Sequence, residues 1–176
     1  MHVMIDIETM GTRPNAPIIS IGAVAFDADG ITSEFYANVS LGSAVRSGAA
    51  IDPNTVMWWM RQNKSAQDAF NDAQAQTVRL GDALVNMDLW IDWSTVKGVW
   101  GNGATFDNVI MRESYTRLEI TCPWPFWNDK CYRTVKSAYP DIALVRAGEH
   151  HHALDDAKSQ ALHLIEINKV AGAVFL

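Results

Sequence analysis

Three apolar, β-branched runs follow one another at the start of this chain, and no later segment repeats that pattern. His2–Thr9 reads as a buried strand, closed by the turn Met10-Gly11-Thr12-Arg13-Pro14-Asn15. Pro17–Phe26 is the second run, and Asp27-Ala28-Asp29-Gly30 turns it back into Ile31–Ser40. Strands joined this closely pair as a meander, whose faces must then be covered by other elements. The segments that follow have helical period. Asp52-Pro53 is a helix start, with Asp as N-cap and Pro at the first helical position, leading into Thr55–Arg61. Ser65-Ala66-Gln67-Asp68 has capping-box spacing, and Leu80, Leu84, Met87 and Ile91 fall on one stripe of an amphipathic helix. Val96–Trp100 reads as a short strand, and Phe106–Arg117 and Arg133–Tyr139 as helices. A final helix over Ala153–Val170 turns Leu154, Ala157, Ala161, Leu164 and Ile165 inward. The order predicts an α/β fold, a single domain over residues 1–176 in which helices flank a mixed sheet and strand ends are free for a site.

Composition narrows the function classes. At 176 residues with 48% hydrophobic and 19% charged side chains, the chain has matter for a core and is not a disordered segment. No stretch approaches the roughly 18 uncharged residues of a membrane span. The opening segment carries Asp6 and Glu8 where a signal peptide would be apolar, and Cys122 and Cys131 are too few for a disulfide framework, so a cytoplasmic location is expected. A formal charge of −6 argues against non-specific coating of nucleic acid. The charge is uneven, however: residues 112–146 hold six basic and four acidic side chains within an otherwise acidic chain.

Asp6-Ile7-Glu8 is the first chemical feature. Residues two apart on a strand share a face, so both carboxylates project together from an apolar run. Two neighbouring anions there are unfavourable by several kcal/mol unless a cation joins them, and oxygen ligands favour Mg²⁺ or Mn²⁺. The competing reading is a solvated face. Asp107 is the second feature, in the first turn of a helix after Gly101-Asn102-Gly103, where an acid also serves as an ordinary cap. A dinucleotide-binding reading of that turn fails, because Phe106 stands where a third glycine belongs. The third is His150-His151-His152 with Asp155-Asp156. Asp156 falls in the first turn of the final helix near His151, and Asp155, rotated about 100° away, is expected to face solvent. A zinc site joining the histidines to the cysteines matches no common spacing. Seven tryptophans include the pair Trp58-Trp59, which cannot share one helix face, so one of them belongs to the core.

Taken together, Asp6-x-Glu8, Phe106-Asp107 and His151-x-x-x-x-Asp156 resemble the three motifs of the DEDD exonucleases of the histidine subtype. These are DnaQ-like and RNase T-like 3′→5′ exonucleases with an RNase H-like fold. Glu8-Thr9-Met10-Gly11, Trp58-Trp59 and Trp127-Asn128-Asp129 are most similar to the RNase T-like branch that includes phage exonuclease A. The resemblance implies that Asp6, Glu8, Asp107 and Asp156 hold two divalent metal ions, Mg²⁺ or Mn²⁺, and that His151 is the general base. It places Thr9, Met10, Phe106 and Trp59 along the substrate, a single-stranded RNA or DNA with a free 3′ end. It also implies pairing as a homodimer, for which no interface stripe shows in the sequence; no membrane partner is expected, since no apolar span is present. Two other readings stand beside it: a non-catalytic nucleic-acid-binding or partner-binding module on the same fold, and an oligoribonuclease-like enzyme for very short substrates.

Overall fold

The β-type runs at the start of the chain pair as a meander, and a second, parallel pair of strands completes the sheet. The computed structural model describes residues 1–62, 64–148 and 151–176. The strands β1 (His2–Thr9), β2 (Ile18–Phe26) and β3 (Ile31–Asn38) come first, followed by helices α1 (Leu41–Arg46), α2 (Pro53–Met60), α3 (Lys64–Ala75) and α4 (Leu80–Trp90). Then come β4 (Val99–Gly101), α5 (Asp107–Arg117), β5 (Asp129–Cys131), α6 (Tyr132–Ala138) and α7 (Ala153–Val170). The sheet order is β3-β2-β1-β4-β5. β1 pairs antiparallel with β2, and β2 with β3, whereas β4 lies parallel to β1 and β5 parallel to β4. β1 is therefore central and covered on both faces, which is why its apolar run is unbroken except where the site begins.

Alternation along β1 divides the core. Val3, Ile5 and Ile7 pack with Leu80, Leu84 and Met87 of α4 and with Ile110 and Met111 of α5. Met4 faces the other way, into a cluster with Val24, Trp100, Tyr132, Ala157, Ala161 and Leu164 under α6 and α7. Each large apolar side chain buried in these layers contributes roughly 1.5–3 kcal/mol. Asp6 and Glu8 continue the Met4 face beyond its apolar part.

Gly22 sets how closely α7 can approach that face. It lies opposite Asp6 in the β1–β2 register. A Cβ there would stand 2.2 Å from the backbone carbon of Ala153 and from the nitrogen of Leu154, at the start of α7. A glycine inside a strand marks this kind of close backbone approach.

Several boundaries differ from the sequence reading. β4 begins at Val99 rather than Val96, because Trp93–Thr95 forms a 3₁₀ turn that ends at Val96. α3 begins at Lys64, so Ser65 lies inside the helix and not at its cap. Phe106 is the N-cap residue of α5, and α6 starts one residue earlier than predicted, at Tyr132. α1 and β5 have no counterpart in the sequence reading. α1 is six residues capped by Ser40, whose side chain accepts from the Ser43 amide at 3.4 Å. β5 is three residues held by register with β4.

Candidate active site

The site lies at the carboxyl ends of the parallel strands β1 and β4, where α5 and α7 both begin. Asp6 is buried, and its Oδ1 accepts a hydrogen bond from Gln160 Nε2 on α7 at 2.7 Å. The solvated-face alternative thus does not hold for Asp6. Asp107 is 1% exposed. Its Oδ2 accepts from the Asn102 amide at 2.7 Å and its Oδ1 from the Ile7 amide at 3.3 Å. The glycine turn explains itself here: a Cβ on Gly101 would stand 2.9 Å from Asp107 Cβ and 2.5 Å from Asn108 Oδ1. Gly101-Asn102-Gly103 wraps a carboxylate and not a phosphate.

α7 supplies the opposite wall. Asp156 Oδ2 accepts from the His151 amide at 3.0 Å, and Oδ1 pairs with Arg146 Nη1 at 2.7 Å. His151 has φ of 65°, a left-handed conformation that is uncommon outside glycine and clusters at functional sites. Its ring meets Trp58 edge-on, with centroids 5.2 Å apart and planes at 87°. One ligand atom each from Glu8, His151 and Asp156 lie within 4.8 Å of one another, a spacing that one cation can span. Asp155 departs from expectation. Its side chain is only 24% exposed and pairs with His152 Nδ1 at 3.4 Å, while the His152 ring stacks on Tyr36. His150 lies outside the described residues. Both cysteines are free thiols, and neither belongs to a metal-competent cluster among the described residues.

The electrostatics show acids crowded together. Burial, then the Asp107 and Glu8 charges, hold the Asp6 carboxyl well above the usual carboxylate range. Burial together with Asp156 and Asp107 pushes Glu8 up to about 8. Asp107 rises to about 6 by burial, held down in part by its amide donors. Each group favours its ionised form once positive charge enters the cluster. Four carboxylates and one imidazole make an oxygen-rich donor set suited to a hard divalent cation.

Two cavities meet at these residues. The acidic one, about 430 Å³, is lined by Asp6, Glu8, Asp107, His151 and Asp156 together. The second, about 500 Å³, runs along Glu8, Thr9, Thr12, Asn54, Trp58 and Trp59. Phe106 lines both. Of the substrate residues expected from sequence, Thr9 and Trp59 border the second cavity but are largely buried. Trp59 is 8% exposed and donates from Nε1 to the Thr9 carbonyl at 3.1 Å. Met10 packs with Ile19 and Trp59 beside α2 and α3 and lines neither cavity. Trp58, 43% exposed, takes the open position on the rim of both. Sequence reasoning missed Trp58, Gln160 and Arg146. The four-residue step from Asp156 to Gln160 along one helix face was a usable signal. For Arg146, in an irregular segment, there was none.

The profile of the family described as the 3′-5′ exoribonuclease Rv2179c-like domain matches residues 1–168. No curated protein sequence matches the chain. Among solved structures, the chain is similar to the nuclease domain of 3′hExo, a DEDDh family member, bound to rAMP. That likeness has 14% identity and a TM-score of 0.66, and covers 97% of this chain and 92% of the other. It is also similar to exonuclease X in complex with 5′ overhanging duplex DNA, at 18% identity and a TM-score of 0.60, covering 98% and 93%. Both likenesses bear out the expected fold. By the family match the chain belongs to the Rv2179c-like family and is a 3′-5′ exonuclease.

Proposed function

We propose that this member of the 3′-5′ exoribonuclease Rv2179c-like family removes nucleotides from the 3′ end of single-stranded RNA, using two divalent cations and a histidine base. The observation that carries this reading is the convergence of Asp6, Glu8, Asp107, His151 and Asp156 on one cavity. Asp6, Glu8, Asp107 and Asp156 would hold the cations, Mg²⁺ or Mn²⁺. Bound there, the cations supply positive charge to the scissile phosphate and to the leaving 3′-oxygen.

The chain's own residues do the rest. His151 accepts the proton of the attacking water, a role that suits an imidazole whose ordinary pKa is near 6.5. The Asp156 carboxylate anchors the His151 backbone, and the Trp58 edge contact fixes the ring. Gln160 and the Asn102 amide hold Asp6 and Asp107 in place, so that neither has to reorient as charge develops. The terminal nucleoside fits the cavity between Thr9, Trp58 and Phe106, where aromatic faces can stack a base. All five motif positions carry the required residue type, which counts against a non-catalytic module.

The test is digestion of 5′-labelled RNA and DNA oligomers of one sequence, with Mg²⁺ and with Mn²⁺. RNA should shorten at least tenfold faster than DNA. Equal or faster loss of DNA overturns the sugar assignment, and no shortening with either metal overturns the assignment of the site.

A further inference from the structure

The two cavities that meet at Glu8, Trp58 and Phe106 differ in where positive charge lies. The second cavity has no lysine or arginine in its wall. The acidic one does: beyond the carboxylates it is bounded by Arg133 and Lys136 of α6 and by Arg146. Arg133 and Lys136 are three residues apart on one helix, hence on one face, and both are exposed. Neither forms an ion pair among the described residues, and Arg133 has only a long 3.5 Å contact to Asn102 Oδ1. Arg146 bonds Asp156 through Nη1, and its side chain remains 47% exposed. Three cations thus gather on one wall in a chain whose formal charge is −6.

We infer that Arg133, Lys136 and Arg146 form the track for the phosphates upstream of the scissile bond. This rests on the exonuclease reading above, and it fixes the direction of the strand. The terminal nucleoside lies in the aromatic cavity, the scissile phosphate lies at the carboxylates, and the remaining strand leaves across α6. An aromatic wall that carries Asp52 and no cation suits a base and sugar and repels phosphate, whereas a cationic wall suits successive phosphates. Because the chain is acidic overall, attraction for a polyanion is local, and the footprint is confined to about three phosphates. Single-stranded binding then falls with salt at a log–log slope of about −0.7 per phosphate, or about −2 in all.

The experiment compares the parent with the double variant Arg133→Ala/Lys136→Ala. Its substrates are an RNA octanucleotide and the p-nitrophenyl ester of thymidine 5′-monophosphate, which has one phosphate and nothing upstream. The double variant should raise KM for the octamer at least tenfold with kcat within threefold, and leave hydrolysis of the ester unchanged. Arg133→Lys/Lys136→Arg, which keeps the charges, should restore KM to within threefold. Anisotropy of a 5′-fluorescent octamer, with Ca²⁺ replacing Mg²⁺, should show the salt slope falling from about −2 to about −0.7 in the double variant. An unchanged KM and slope overturns the track, as does an equal loss on both substrates, which would place these cations in the reaction centre. A parent protein that binds the octamer with the expected slope yet cleaves neither substrate would uphold the track and sink the exonuclease reading instead.

Discussion

Replacing Glu8 by glutamine should stabilise the metal-free protein while removing its activity. In the folded protein burial and the charges of Asp156 and Asp107 raise the Glu8 carboxyl from 4.5 to about 8. A raised acid binds its proton more tightly folded than unfolded. Its stabilising contribution is therefore complete below about pH 4.5 and is lost progressively as pH rises towards 8. At 1.36 kcal/mol per pH unit, the loss reaches about 3 kcal/mol at pH 7 and about 4 kcal/mol at pH 8, as an upper bound because the site can relax. Glutamine has the same shape and does not titrate. For a chain of this length each kcal/mol moves Tm by about 2–4 °C, so Glu8→Gln in EDTA at pH 8 should melt about 8–16 °C above the parent. The two proteins should converge near pH 4.5. Mg²⁺ should raise the parent's Tm more than the variant's, since it relieves the same repulsion. Thermal melts at five pH values, with EDTA or Mg²⁺, decide the matter. A parent that gains stability between pH 5 and 8 without metal, or a variant no more stable than the parent at pH 8, would show that burial and the neighbouring acids do not hold the Glu8 proton.

Other outcomes follow from the same geometry. His151→Ala should lower kcat by about 10²–10⁴ with Tm unchanged within a few degrees, and activity within tenfold of the parent would remove His151 from the base role. Gly22→Ala should destabilise by about 1–3 kcal/mol in denaturant melts and lower activity as well. The added methyl would press on the backbone at Ala153 and Leu154 and displace the helix that carries Asp156 and Gln160. A Gly22→Ala protein of parental stability and activity would show that α7 does not depend on that close approach.

Much of this was legible from sequence because long elements buried on both faces write themselves in long apolar runs. β1 and α7 fall at the residues expected, and the two-residue step from Asp6 to Glu8 does put both on the face of Met4. What stayed hidden is what depends on contact across space. β5 is only the three residues Asp129-Lys130-Cys131, stabilised by parallel pairing with β4 and by the Asp129 carboxylate, which accepts from Arg112 at 2.8 Å and from Trp124 Nε1 at 2.8 Å. No periodicity announces such a strand. That one of Trp58 and Trp59 is buried follows from their 100° separation, but which one depends on the phase of α2 against β1. The partial burial of Asp155 is likewise a matter of tertiary contact: it pairs with His152, whose ring stacks on Tyr36, 116 positions away in the chain. Gly22 lies inside an apolar run with no signal of its own, although it is what admits α7 to the site.

Metal-dependent shortening of a strand from its 3′ end at this carboxylate cluster can be tested directly. The most direct measurement is a time course on 5′-labelled single-stranded RNA with Mg²⁺, run beside EDTA and beside Asp6→Asn. A ladder that shrinks from the 3′ end one nucleotide at a time is expected, absent with EDTA and absent in the variant. A ladder that persists in Asp6→Asn, or a label released first as a 5′ mononucleotide, would contradict it.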